Sequence, residues 1–407
     1  MPLRHAAMLE VNEFLVLDYV RERQRSSRPE IGRALDLSPA SVSRIVGRLL
    51  RSGLVVEEGR SRSDGGRPAT VVSFNRRAGA VIAIDLGATA CHGALADLAG
   101  DLLHQQVLPT REHGAAFPTL VAAFDALTRE AARQDVPVTA LAVGVPAMLD
   151  PETGLGIAGP SVEWEAFEIV TSLAAHVSIP FVVENDVNLA ALAHAWRGDG
   201  RQVDDFFTLY LGAGVGGAVV SNGSLVKGRH NGGGEVGYLI LDPADSRRPP
   251  GGTVDGVEAV ISTGGLLARA RELAGPNDLR WASPDRPVPI EELFEAATDR
   301  DPIAVAVIDG LLDHVSLVLL AVGAIVDPAL VILDGPVGRA LEPYVPGLAA
   351  RLEQRLPRPP RLVVSSLHGD ATLLGAVAAA LQLARRRSAP SALFGDFSFS
   401  GVVHGVS

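Results

Sequence analysis

Two glycine-rich hairpins, one in each half of the chain, constrain its fold more than any other feature. The first is the apolar run Val81-Ile-Ala-Ile84 entering Asp85-Leu-Gly-Ala-Thr89, with Ala90–Asp97 as the expected return strand. The second is Phe207-Thr-Leu-Tyr-Leu211, then Gly212-Ala-Gly-Val-Gly-Gly217, then Ala218-Val-Val220. Strand, glycine turn, strand differs from the strand, glycine loop, helix of a dinucleotide site. Gly87 lets backbone N–H groups approach a phosphate, Thr89 can donate a hydroxyl, and Asp85 can hold magnesium through water. Gly212, Gly214, Gly216 and Gly217 offer the same kind of cradle in the second hairpin. A single Asp-x-Gly-x-Thr is common by chance. Two such hairpins, one per half of the chain, are far less so.

The first 77 residues read differently. Phe14, Leu15, Leu17 and Val20 have the spacing of an amphipathic helix within Asn12–Arg23. Pro29 begins a short helix through Leu35. Ser38 is a good N-cap and Pro39 suits the first helical position, so a third helix is predicted to run to about Arg51 and end at Gly53. Its inner face is expected to be Val42, Val46, Leu49 and Leu50, leaving Ala40, Ser41, Arg44, Gly47, Arg48 and Arg51 outside. Small residues followed by arginines suit a helix that enters the major groove of DNA. The next stretch reads as strand, turn, strand. Its tip, Arg60-Ser-Arg-Ser-Asp-Gly-Gly-Arg-Pro68, suits phosphate or minor-groove contact. The alternative for that tip is a solvated hairpin. Residues 1–77 are therefore expected to be a winged helix-turn-helix that binds double-stranded DNA through Ser41, Arg44, Arg48, Arg60, Arg62 and Arg67.

The charge distribution agrees. The whole chain of 407 residues carries −11, yet residues 1–77 hold 14 Lys+Arg against 9 Asp+Glu, and the remainder holds 22 against 38. A basic head on an acidic body is expected when one part meets phosphates and the other does not. The single cysteine, Cys91, excludes an intramolecular disulfide framework, reads as a buried inert thiol, and fits a cytoplasmic protein. No apolar run reaches the roughly 18 residues of a membrane span, and charge interrupts the N-terminus before a signal sequence could form, so no membrane association is expected.

Further segments follow the first hairpin in order: Val143-Gly-Val-Pro-Ala-Met-Leu-Asp-Pro-Glu-Thr-Gly154, Gly159-Pro-Ser-Val-Glu-Trp164, Ile179-Pro-Phe-Val-Val-Glu-Asn-Asp-Val-Asn188, Gly232-Gly-Gly-Glu-Val-Gly-Tyr238 and Val331-Ile-Leu-Asp-Gly-Pro-Val-Gly338. With the two hairpins, this series resembles the ROK family (repressors, open reading frames and kinases), specifically its winged-helix transcriptional regulators, over about residues 10–385. The resemblance implies a two-lobed, actin-like (ribonuclease H-like) α/β core. Its first lobe would cover 78–188 and regain the last helix at 368–385. The second lobe, 189–367, would carry sugar binding and dimerisation. Residues 386–407 form a tail without a motif, expected to be loosely ordered.

By that resemblance Asn185 binds a sugar hydroxyl and Asp186 is the base that would deprotonate an attacking hydroxyl. Taken alone, Asp186 would read as a cap before a helix at Leu189–Trp196. Glu235 and Glu258 would reach the sugar, with Ser161 where the family has asparagine and Tyr238 where it has histidine. The family's cysteine cluster, registered on Glu258, falls on Pro249, Gly251 and Gly256, so no zinc is expected. Asp334 and Pro336 depart from the consecutive glycines beside the adenine, leaving Mg-ATP an open question. The function implied is a sugar-responsive transcriptional regulator, expected to repress. It would bind a palindromic operator as a homodimer or tetramer and sense a sugar or sugar phosphate in a kinase-like cleft. The alternative is an ATP-dependent sugar kinase with an appended DNA-binding domain.

Overall fold

A computed structural model of the chain describes residues 2–60, 70–87, 89–110, 116–157, 168–242, 256–275, 289–386 and 402–404. Arg62, Arg67, Ser161, Trp164, Pro249 and Gly251 lie outside the described residues. The head comprises α1 (Pro2–Arg23), β1 (Arg25–Ser27), α2 (Arg28–Ala34), α3 (Pro39–Arg51), β2 (Val55–Arg60) and β3 (Thr70–Phe74). Helix α1 is longer than the Asn12–Arg23 stretch that periodicity marks.

Helix α2 opens on a capping box. Ser27 Oγ accepts from the Glu30 N–H, and the Ser27 N–H donates back to Glu30 Oε2 at 2.7 Å. Helix α3 starts at Pro39 behind its Ser38 cap. Val42, Ile45, Val46 and Leu49 bury its inner face against Val16 and Val20 of α1, Ile31 of α2 and Val72 of β3. The sheet order is β1-β3-β2, all antiparallel, so β1 adds a third strand to the expected hairpin.

The first lobe is built on a six-stranded sheet. Its elements are β4 (Ala80–Leu86), β5 (Ala90–Asp97), β6 (Leu102–Pro109), α4 (Ala116–Arg133), β7 (Val138–Val145), the short pair β8 (Met148–Leu149) and β9 (Gly156–Ile157), α5 (Ile169–His176), β10 (Phe181–Asn185) and α6 (Asp186–Arg197). Strands β4, β7 and β10 run parallel and β4-β5-β6 form an antiparallel meander. Helices α4 and α5 cover one face, where Leu120, Leu127 and Leu173 meet Ile82, Ile84 and Phe181.

The second lobe follows with β11 (Phe206–Leu211), β12 (Val215–Ser221), β13 (Ser224–Val226), α7 (Glu258–Ile261), α8 (Thr263–Ala274), α9 (Ile290–Thr298), α10 (Pro302–Ile325), β14 (Leu330–Asp334), α11 (Gly335–Ala340), α12 (Val345–Glu353) and β15 (Arg361–Val364). Its sheet order is β13-β12-β11-β14-β15. By length and composition α10 could cross a membrane, but it is a core helix. Val307, Leu311, Val315 and Val318 are buried among Leu209, Leu333 and Leu352.

Two helices join the lobes. Helix α13 (Ala371–Arg386) returns to the free face of the first sheet, where Ala376, Val377 and Ala380 pack on Val81, Ala83 and Ala142. Helix α6 lies beside it and faces both sheets, sending Leu189 and Leu192 into that core while Val187 and Ala191 meet Phe206, Ala218 and Ile332 of the second lobe. Gly375 makes the α6–α13 contact possible, since a Cβ there would lie 1.8 Å from the Leu189 carbonyl oxygen.

The tail expectation is corrected at one point. Val402–His404 form β16, which pairs antiparallel with Phe181–Val183 of β10 and becomes the edge of the first sheet. A three-residue strand held by a partner more than 200 residues away leaves no local periodicity to read.

Candidate functional site

In the head, Ser38 Oγ accepts the Ser41 N–H at 3.2 Å and donates to Ser41 Oγ at 2.9 Å, so the Ser41 hydroxyl takes part in the cap. Arg44 is exposed on the outer face of α3. Arg48 pairs with Glu13 of α1 at 3.0 Å, which ties it to the head itself. The acidic residues of β2 are matched by basic partners, Glu58 by Arg25 and Glu57 by Arg28, each at 3.2 Å. Arg60 closes β2 just beyond a bulge.

The interlobe cleft is built where β4, β10 and the second glycine hairpin end. Asp85 stands near the end of β4, opposite Gly144 of β7. Behind it the turn is fixed by Thr110, whose hydroxyl donates to the Gly87 carbonyl at 2.9 Å. Thr89 is exposed.

At the start of α6, Asn185 supplies the cap: its Oδ1 accepts from the N–H groups of Val187 at 2.9 Å and Asn188 at 3.0 Å. That leaves the Asn185 amide nitrogen to meet a ligand, while Asp186 Oδ1 shares the cap by also accepting the Val187 N–H at 2.8 Å. Glu184, buried just before, accepts from Asn188 Nδ2 at 2.9 Å and is ion-paired with Lys227 from the end of the second-lobe hairpin. This buried pair spans the two lobes.

Acids converge here. Burial pushes the Asp85 carboxyl up to about 7. Burial, then the charge of Asp85, pushes Asp186 up to about 8, against the pull of the Val187 N–H. Glu235 is raised by burial and then by Glu258, while Glu258 is raised by burial and partly relieved by the Val215 N–H it accepts at 2.8 Å. Glu258 is thereby tied to the backbone of the second glycine hairpin. Tyr238 is 58% exposed at the rim. The cleft therefore gathers Asp85, Asp186, Glu235 and Glu258, which can exchange several hydrogen bonds with ligand hydroxyls, accepting where ionised and donating where protonated.

Other predicted features have a packing explanation. A Cβ on Gly216 would lie 3.0 Å from Val187 Cγ2, and one on Gly217 would lie 2.2 Å from Phe207 Cζ and 2.7 Å from the Gly234 carbonyl oxygen. Gly256, at one of the positions registered on the cysteine cluster, has φ +64° and would crowd the carbonyl oxygens of Gly237 and Leu239. The Val257 N–H donates to Leu239 at 2.8 Å, so a backbone bond anchors this loop. No group of three or more metal-ligating side chains occurs among the described residues. Asp334 is buried, which alone would raise its pKa. His194, the Gly335 N–H and Arg339 nevertheless hold it below the usual carboxylate range.

The far end of α6 reaches a first-lobe turn whose Leu98 and Ala99 pack on the head. Arg197 donates to the carbonyls of Gly100 at 3.0 Å and Ala99 at 2.9 Å, in the β5–β6 turn. Gly100, at φ +84°, lies against the Trp196 ring so closely that a Cβ would be 2.4 Å from it. Asp101 of the same turn pairs with both Arg197 and Arg76. Arg76, in the linker, donates to Gln24 Oε1 of the head at 3.3 Å, and its carbonyl accepts from the Leu98 N–H at 3.0 Å. Sequence reading missed this whole junction because none of its residues belongs to a motif.

A winged helix-turn-helix joined to an actin-like two-lobed core, with an acid-lined cleft between the lobes, defines the class of protein. Residues 81–383 match the ROK family, and the chain belongs to it. Residues 9–65 are similar to the MarR family. Among curated relatives, a xylose repressor of Caldicellulosiruptor bescii is 24% identical over 92% of this chain and 96% of its own length. The transcriptional dual regulator NagC of Escherichia coli is 24% identical over 83% of this chain and 84% of its own. The fold is shared with a ROK family transcriptional regulator described as a homologue of the E. coli Mlc protein, at TM-score 0.77 and 22% identity, covering 93% of this chain and 97% of that one.

Proposed function

We propose that this protein is a sugar-responsive transcriptional repressor, acting as a homodimer or tetramer on a pseudo-palindromic operator. The observation that carries the reading is one helix shared by both sites. α6 begins at Asn185 and Asp186 in the cleft and ends at Trp196 and Arg197 on the turn that holds the head. Sugar hydroxyls bound by Asn185, Asp186, Glu235 and Glu258, and by Ser161, draw the lobes together, with Tyr238 at the rim. Any resulting shift of α6 moves the turn at Ala99–Asp101, and with it Arg76 and Gln24. One of the named relatives, a xylose repressor, supports a sugar as effector. In the head, Arg44 reads base edges, with Ser41 and Arg48 beside it. Arg60, Arg62 and Arg67 of the wing contact the backbone or minor groove.

The reading is tested by fluorescence anisotropy on the DNA upstream of the protein's own coding region. Binding that falls when one monosaccharide is added supports it. Binding indifferent to a panel of pentoses, hexoses and N-acetylhexosamines would overturn it.

One observation favours the kinase reading: Asp186, raised to about 8 beside Asp85, has the pKa of a general base poised near working pH. Asp85, Gly87, Thr89 and the glycines at 212, 214, 216 and 217 would then hold the phosphates of Mg-ATP. Phosphorylation of a sugar by the purified protein with magnesium and ATP would establish that activity.

A further inference from the structure

We propose that the cleft takes an uncharged sugar and excludes phosphate, whether of a nucleotide or of a phosphosugar, because the Tyr210 side chain fills the hollow of the second glycine hairpin. The inference rests on the sugar-sensing reading and specifies its ligand class.

Tyr210 is the penultimate residue of β11. It is in register with Gly216 of β12 on one side and Asp334 of β14 on the other. Alternation along the strand puts it on the face of Phe206, which is the face that packs on Val187 and Ala191 of α6. Its phenol therefore points towards the first lobe. The ring then folds over the hairpin's own first glycine: a Cβ on Gly212 would lie 2.8 Å from Tyr210 Cε1, 2.9 Å from Oη and 3.0 Å from Cζ. A glycine cradle binds phosphate because a missing side chain leaves room for an anion at the backbone N–H groups. Here that room is occupied by an aromatic ring of the same chain. Gly216 and Gly217 are likewise filled from behind, by Val187 and by Phe207 with the Gly234 backbone.

The surrounding charge works in the same direction. The phenol is raised by burial and then by Asp186, Asp85 and Asp334, with Arg339 opposing, so it sits among carboxylates of both lobes. Two cations ion-paired around the cleft, Lys227 and Arg339, each have a carboxylate partner, Glu184 and Asp334. A phosphate dianion entering this space would be poorly solvated and would either meet carboxylate charge or force the already raised Asp85 and Asp186 to hold their protons, and both disfavour it. A neutral polyol meets the opposite situation, since its hydroxyls can donate to Glu235 and Glu258 and can either donate to the Asp186 carboxyl or accept its proton in a hydrogen bond.

The test is calorimetry on the full-length protein with glucose, xylose, N-acetylglucosamine, the corresponding sugar phosphates and ATP, each with magnesium present. The panel is repeated on Tyr210→Ala and Tyr210→Phe, with thermal melts to check folding. The wild type is expected to bind a free sugar and to bind its phosphate and Mg-ATP at least 100-fold more weakly. Tyr210→Ala should gain at least tenfold in affinity for Mg-ATP or for a sugar phosphate. Tyr210→Phe, which keeps the ring, should gain none. Wild-type affinity for Mg-ATP or a phosphosugar comparable to that for any free sugar would overturn the proposal. So would a folded Tyr210→Ala with no gain. If no free sugar binds at all, the sensor reading fails on its own, while Mg-ATP affinity across the three proteins still decides whether Tyr210 keeps phosphate out.

Discussion

Asp186 and Asp85 carry opposite burdens at two levels of the molecule. Under the proposed function Asp186 is a partner for a sugar hydroxyl, with Asp85 beside it. For folding they are liabilities, since each must be buried beside the other. The folded-state pKa of Asp186 lies near 8 against an ordinary 3.8, so between those values the folded protein binds more protons than the unfolded chain. Stability from this group is therefore full below about pH 4 and is lost as pH rises towards 8. Asp186→Asn, neutral at every pH, should flatten that part of the profile. Urea midpoints for the two proteins should favour the variant more at pH 8 than at pH 5; an equal difference at both pH values would refute the pairing. Arg44 makes a residue-scale prediction of another kind. Arg44→Ala should weaken binding to the upstream DNA by roughly 5- to 150-fold, the worth of one base-edge contact of about 1–3 kcal/mol, and leave sugar affinity unchanged. Equal loss of both affinities would mean that the two functions are not separated as described.

Elements differ in how far local sequence foretold them. Helix α3 begins at Pro39 and the return strand covers Ala90–Asp97, because a cap, a proline and a glycine turn are local instructions. Strands β1 and β16 were invisible for the converse reason: each is three residues long and exists through a distant partner, β3 or β10. In the site, Asp85, Asp186, Glu235 and Glu258 were legible as motif residues. The side chains that shape their cleft, Tyr210 over Gly212 and Lys227 across to Glu184, were not, since only the tertiary fold brings them together. Tyr210 did leave a trace, a bulky ring two residues before a glycine, whose meaning depends on which face of the sheet it occupies. The contact of α6 with α13 is the element-scale counterpart. Gly375→Ala should lower the urea stability by about 3 kcal/mol or more, because the added methyl meets the Leu189 backbone, which cannot rotate away. An unchanged midpoint would show that the two helices can part without cost.

At the scale of the whole molecule, the question is how a cleft speaks to a head. Twelve residues of α6 span about 18 Å, from the acid cluster to the β5–β6 turn. Arg197→Ala removes the hydrogen bonds to Ala99 and Gly100 while leaving both binding sites intact. It is expected to change sugar affinity and DNA affinity by less than about threefold each, yet to cut the sugar-induced release of DNA by about tenfold. Full release from the variant would place the coupling elsewhere.

The most direct measurement is reciprocal. DNA affinity is determined with and without saturating free sugar, and sugar affinity with and without saturating DNA, on the same full-length protein. Linkage requires the two factors to be equal, and coupling of about 1–3 kcal/mol makes each roughly 5- to 150-fold. Matching factors above fivefold would establish one protein whose two sites share a single equilibrium. A factor of one in both directions would contradict it, leaving a DNA-binding head and a sugar cleft that share a chain and nothing more.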